Sequence, residues 1–203
     1  MKMKAFAAVL MTGMMAAAMT LTGFAAELTG RGPQGSQGRL PEFHYVDDAP
    51  YMDTILDYMV QTRGQWFESG DVMIPNFVIM RTDDSNPDDV KVWGNFWINN
   101  YDLQGDNLFC KNGGEAPGCV HLRRTPAGSG YAVTWVDFVG DGSNNQPDAE
   151  RIFGVDADLM RAYANQDLVT ERSRTDTIRK YVFMNGLPIN TYQDYGWEKV
   201  QLR

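Results

Sequence analysis

Two cysteines and two histidines are all the thiol and imidazole groups that the 203 residues contain. A Cys₂His₂ zinc centre would need every one of them, and catalysis by a Ser–His or Cys–His pair has only His44 and His121 to draw on. Basic residues are scarce too. Eighteen Lys and Arg stand against 26 Asp and Glu, a net charge of −8 and a pI near 4.7. That balance argues against nucleic acid and anionic membranes as partners, because phosphate binding draws on concentrated Lys and Arg. The chain has no G-x-S-x-G elbow, H-E-x-x-H or G-x-x-x-x-G-K. Its acidic turns, Asp83-Asp84 with Asp88-Asp89 and Asp141 to Glu150, lack EF-hand spacing and read as turn chemistry. No cofactor and no metal is expected.

The one long hydrophobic run stands at the start. Lys2 and Lys4 precede an uncharged, Ala- and Met-rich stretch from Ala5 to about Leu21, and Gly23-Phe24-Ala25 follows. This is the layout of a signal peptide, residues 1–25, with cleavage after Ala25; an uncleaved anchor is the alternative reading. The expected location is secreted or extracytoplasmic, with no stable membrane insertion once the segment is removed. Residues 26–42, rich in Gly and Pro with no hydrophobic period, read as a flexible linker. A single domain then spans residues 43–203, a length that fits one core.

Within it, Met52, Ile55, Leu56, Met59 and Val60 fall at helical spacing, preceded by Asp47-Asp48 as cap and Pro50 in the first turn. Strand patterns follow at Ile74–Arg81, Val90–Tyr101, Asn107–Lys111, Cys119–Arg124 and Tyr131–Val139, separated by turns such as NGGEAPG and TPAGSG. Short connections predict an antiparallel meander. Ile152, Val155, Leu159, Met160 and Tyr163 return to helical spacing, weakened at Gly154 and capped by Asp148. A last helix from about Thr170 ends at Asn185-Gly186, and Trp197–Leu202 reads as an edge strand. The fold class is α+β: an N-terminal helix packed on a curved antiparallel meander sheet, with additional C-terminal helices.

One helix before a long aromatic strand, KVWGNFWINNY at Lys91–Tyr101, next to the hairpin to Tyr131–Val139, resembles the NTF2-like or cystatin-like α+β superfamily. The resemblance is one of element order. It implies the fold and transfers no catalytic residue. Helices after the sheet depart from that family's usual plan.

Period-two separation of the long strand puts Val92, Phe96 and Ile98 on one face and Trp93, Asn95, Trp97, Asn99 and Tyr101 on the other. The last strand adds Tyr131, Val133, Trp135 and Asp137. Flat aromatics alternating with amides suit a sugar or other small polar ring, so Trp93, Asn95, Trp97, Tyr101, Tyr131 and Trp135 are the candidate ligand-binding residues. Packing beneath helices is the other reading of the same face, and a bulge at Gly94 would mix the two faces. Asp137 and His121 are the only candidates for acid–base catalysis, with Arg81 or Arg123 as the structural partner of Asp137. For an exported chain, Cys110 and Cys119 flanking KNGGEAPG predict a disulfide; a zinc site with His121 and His44 is the rival. The function expected is that of an exported, non-enzymatic domain binding a small molecule, a carbohydrate or a surface partner through the aromatic face. A small acid–base enzyme with its site in the sheet concavity, and a structural or homodimerising module, are the alternatives.

Overall fold

A computed structural model describes residues 40–45, 49, 51–126 and 130–203. The signal segment, most of the linker, Asp47, Asp48 and Pro50 lie outside the described residues. The elements run α1 (Met52–Thr62), β1 (Val72–Asp83), β2 (Val90–Gln104), β3 (Asn107–Arg124), β4 (Tyr131–Phe138), α2 (Asn145–Phe153), α3 (Ala157–Ala164), α4 (Asp167–Met184), β5 (Thr191–Gln193) and β6 (Val200–Gln201). β1 to β4 form the antiparallel meander. The sheet becomes mixed at one short parallel pairing, where β5 adds to the start of β3 and β6 adds to β5.

The sheet curls around α1. In a flat sheet β1 and β4 would lie roughly 14 Å apart, three strand spacings. Tyr51, at the start of α1, touches both: its hydroxyl is 3.0 Å from Thr82 Oγ1 on β1, and its ring meets Tyr131 of β4 edge-on at 5.9 Å. Met52, Ile55, Leu56 and Met59, the predicted stripe, are buried against Val92, Phe96, Ile98, Val120 and Leu122. Each such side chain contributes about 1.5–3 kcal/mol on burial. The helices that follow the sheet cover its other face, α2 and α3 over Trp93 and Cys119 and α4 over Ile74 and Tyr101.

Three expectations change. The NGGEAPG segment is the middle of one 18-residue strand, β3, paired with β2 throughout. Its glycines serve close approach: a Cβ at Gly113 would stand 2.5 Å from Asn99 Oδ1, and one at Gly114 2.7 Å from the Phe67 ring. Cys110 and Cys119 therefore lie nine residues apart on a single strand, roughly 30 Å, far beyond the Cα separation a disulfide tolerates. They are unbonded, and the predicted Cys110–Cys119 disulfide is corrected to two thiols. Finally, the helix predicted across Gly154 is two helices, with Asp156 capping α3 through the backbone N–H groups of Asp158 and Leu159. Asp148 instead accepts from the Gly140 N–H and from Arg151.

Candidate functional site

The long aromatic strand keeps its two faces apart, because both register shifts beside β2 fall on its neighbours: one in β1 between Ile79 and Arg81, one in β3 opposite Asn100 and Tyr101. Trp93, Asn95, Trp97 and Tyr101 share the face that α2 to α4 cover. Trp93 lies half-buried beneath α2 and donates its indole N–H to Ile152 O at 3.2 Å. Asn95 is fully buried and donates to Glu115 at 2.9 Å. Trp97 is half-buried, and Tyr101 has no exposed surface. In β4 a shift between His121 and Leu122 of its partner strand separates the candidates. Trp135 and Asp137 stay with Trp93, with Trp135 65% exposed, whereas Tyr131 turns to the α1 face against Tyr51.

The candidate acid–base pair is engaged elsewhere. Both oxygens of Asp137 are held by Arg151, not by Arg81 or Arg123, and His121 Nδ1 lies 2.6 Å from Asp89. The His121 contact holds the Asp89 carboxyl below its usual range. The concavity proposed for an enzyme site is occupied by α1 and its apolar contacts. His44 is exposed on the segment before α1, so the Cys₂His₂ set does not come together. Among the described residues no group of three His, Cys, Asp or Glu side chains is placed to hold a metal.

Tyr101 leads to a different centre. Its hydroxyl accepts from Arg174 Nε at 2.8 Å, and the two remaining guanidinium nitrogens each donate to one oxygen of Asp194 at 2.6 Å. The guanidinium sits between two rings, 5.5 Å from the centroid of Tyr101 and 5.1 Å from that of Tyr192. Tyr192 is fixed in turn by Thr175, 2.8 Å away. Burial raises the Tyr101 phenol, and it lifts the neighbouring Cys110 thiol to about 11.

Local chemistry builds this centre. On α4, Asp167, Thr170, Glu171 and Arg174 recur at i, i+3, i+4 and i+7, one stripe of the helix. Beyond β5, Gly196 takes φ +80° two residues after Asp194, and Trp197 N–H bonds Asp194 O at 3.1 Å. That turn needs glycine at its third position; it hands Asp194 inward to Arg174 and leaves Trp197 76% exposed. Between helix stripe and turn lies a half-open groove of about 930 Å³, with Arg174 and Tyr192 on its floor and Trp197, Glu198 and Lys199 on its rim. Arg174 is matched by Asp194, and among the described residues Asp167, Glu171 and Glu198 form no ion pair, which leaves the groove acidic. Of the predicted site residues only Tyr101 touches this centre, through Arg174, and none of them lines the groove. The signals for the rest, an acidic and hydroxyl stripe and a D-x-G turn, were present in the sequence but 20 residues apart.

No protein-family model, no curated protein and no solved structure matches the chain. Among the described residues no helix is long and apolar enough to cross a membrane.

Proposed function

We propose that the chain is an exported, non-enzymatic binding domain whose groove between α4 and the β5–β6 turn takes a small, uncharged or cationic polar molecule of the sugar or amine class. The observation that carries this is the Arg174–Asp194 pair, clasped between two tyrosine rings on the floor of a large groove with an exposed tryptophan at its rim. Aromatic faces supply stacking area, and fixed polar groups around them supply orientation. The unpaired carboxylates of Asp167, Glu171 and Glu198 repel anions and accept hydrogen bonds from hydroxyl or ammonium groups. Kinship with NTF2-like or cystatin-like domains belongs to the same reading. A first helix held in a curled antiparallel sheet supports it, while three helices on the outer face depart from the family's plan.

The test is a screen of neutral sugars, amines and carboxylic acids against the full chain, read by tryptophan fluorescence and thermal shift. Binding of a sugar or amine that Trp197→Ala abolishes, with the melting temperature of the free protein unchanged, is the expected result. A ligand that binds Trp197→Ala as tightly as the parent, or selective binding of acids, overturns the proposal.

A further inference from the structure

α4 has a cleft on each flank. One flank walls the groove that ends at Trp197. On the other, side chains recurring at i, i+3, i+4 and i+7 from Val169 to Met184 line a second cleft of about 370 Å³. Facing them are Phe43 and Tyr45, from the segment before α1, and Phe77 of β1. The two clefts share no lining residue. From Val169 to Met184 the helix runs about 22 Å, so this cleft is a narrow trough. Its volume falls within the range of about 300–1,000 Å³ that small-molecule sites occupy.

The trough is apolar along its floor. Tyr45 meets Phe77 edge-on at 5.4 Å, and Phe43 lies 6.2 Å from Tyr181, whose hydroxyl is fixed by donating to Pro41 O at 2.7 Å. Val169 and Met184, 46% and 57% exposed, hold apolar side chains in water at its two ends. Most polar groups of the flank are spent. Ser173 Oγ donates to Phe77 O at 2.7 Å, Thr177 Oγ1 donates to Ser173 O at 3.0 Å, and Asp176 accepts from Arg179 at 2.6 Å. Arg172 differs: it is exposed and forms no ion pair among the described residues. Lys180 is a second cation on the flank. In a chain of net charge −8, this trough carries two cations and one carboxylate that is neutralised from outside it.

We propose that this trough binds a single-chain anionic amphiphile, a carboxylate with an apolar tail of the fatty-acid class. The carboxylate pairs with Arg172, and the tail lies along Phe77, Tyr45, Phe43 and Tyr181 toward Met184, about 18 Å further down the helix. A guanidinium takes both oxygens of a carboxylate at once, and the apolar floor removes the tail from water. The chain's own residues 26–39 are a poor occupant, since they set Arg31 and Arg39 against Glu27 and bring one large apolar side chain, Leu28. An anionic bilayer would meet the whole acidic surface, whereas a monomer meets the trough alone. The site does not depend on what the groove binds.

Isothermal titration calorimetry of the full chain with dodecanoate, kept below its micelle concentration, tests this. One dodecanoate per chain is expected, with acetate and dodecyltrimethylammonium at least roughly tenfold weaker. Arg172→Gln should weaken dodecanoate roughly tenfold, the worth of a hydrogen bond to a charged group, and Met184→Gln roughly threefold. Both side chains are exposed, so both variants should keep the parent's melting temperature. Trp197→Ala should leave the affinity unchanged, because that tryptophan belongs to the other flank. Absence of dodecanoate binding, equal binding of the cationic amphiphile, or an affinity that Arg172→Gln leaves intact overturns the proposal. So does recruitment to phosphatidylglycerol vesicles without binding of the monomer, which would make this flank a membrane contact.

Discussion

Replacing Asp194 by Ala isolates the pair on which the groove is built. Arg174 keeps 16% of its side-chain surface and Asp194 keeps 39%. Removing one member of a fully buried pair costs about 3–5 kcal/mol, because the other is stranded without solvent. Asp194 lies on a turn, and water reaches the space it leaves, so screening reduces the cost to about 2 kcal/mol. For a chain of this size that is a fall of roughly 4–8 °C in melting temperature. Arg174→Met keeps the stem between the two rings but strands the Tyr101 hydroxyl, which has no exposed surface, and is expected to cost about 2 kcal/mol as well. In the double variant Asp194 has no partner left to lose, so its stability should equal that of Arg174→Met alone. Urea denaturation followed by far-ultraviolet circular dichroism gives all three values. A loss below about 0.5 kcal/mol for Asp194→Ala, or strict additivity in the double variant, refutes the idea that this pair fastens the β5–β6 turn to α4.

Alkylation of the unreduced, unfolded chain should find two thiols, and in the native state both should react slowly, since burial lifts Cys110 to about 11 and Cys119 to about 12; a single bridged species disproves this. Because both folded values are raised, the stability they lend is complete below the ordinary thiol range and drains away as the solution is made more alkaline, which Cys110→Ala and Cys119→Ala should blunt in a pH series of denaturant midpoints. Asp89 works in the opposite direction: its carboxyl is depressed by the His121 contact, so its contribution is present above the ordinary Asp value and is lost as pH falls below it, and Asp89→Asn should flatten that acid limb. Among the tryptophans, Trp93→Ala should cost about 3 kcal/mol, as removal of a packed aromatic does, while Trp135→Ala should fall within about 0.5 kcal/mol of the parent; equal costs would mean that the two share one environment after all.

The elements that were legible in the sequence are those whose reasons are local. The stripe from Met52 to Met59 needs only helical spacing and an apolar partner, and it fills the curl of the sheet as its period requires. Asn185-Gly186 ends α4 because a positive φ, here +60°, suits glycine. What was illegible has distant causes. Gly113 and Gly114 look like a turn, yet their reason is the Asn99 amide and the Phe67 ring, neither adjacent in sequence. The Cys110–Cys119 pairing failed with that turn. In β4 the aromatic alternation reads as unbroken, and only pairing with β3 reveals the shift that sends Tyr131 to the other face. Arg174 and Asp194 gave no linear motif, since each needs the other at the far end of the α4-to-β5 connection.

The two helices nearest the sheet divide the work of the molecule. α1 sits inside the curl and meets it mainly through apolar groups, with Thr54 Oγ1 donating to Tyr131 O at 3.4 Å, so its hold grows with buried area. α4 lies outside, and along its first half it holds the sheet by hydroxyls and one guanidinium. Polar contacts of that kind are each worth about 1 kcal/mol net, and they cost more when left unmade. A helix held so is oriented closely and held weakly. The same half of α4 forms one wall of the groove, through Asp167, Thr170, Glu171 and Arg174. Binding surfaces draw on regions of low local stability, because a wall that yields can close on what it holds. The chain thus keeps its stability on the inner face of the sheet and its adaptable surface on the outer one, and the tyrosine that joins the two chemistries is Tyr101, buried in the sheet by its ring and tied to α4 by its hydroxyl.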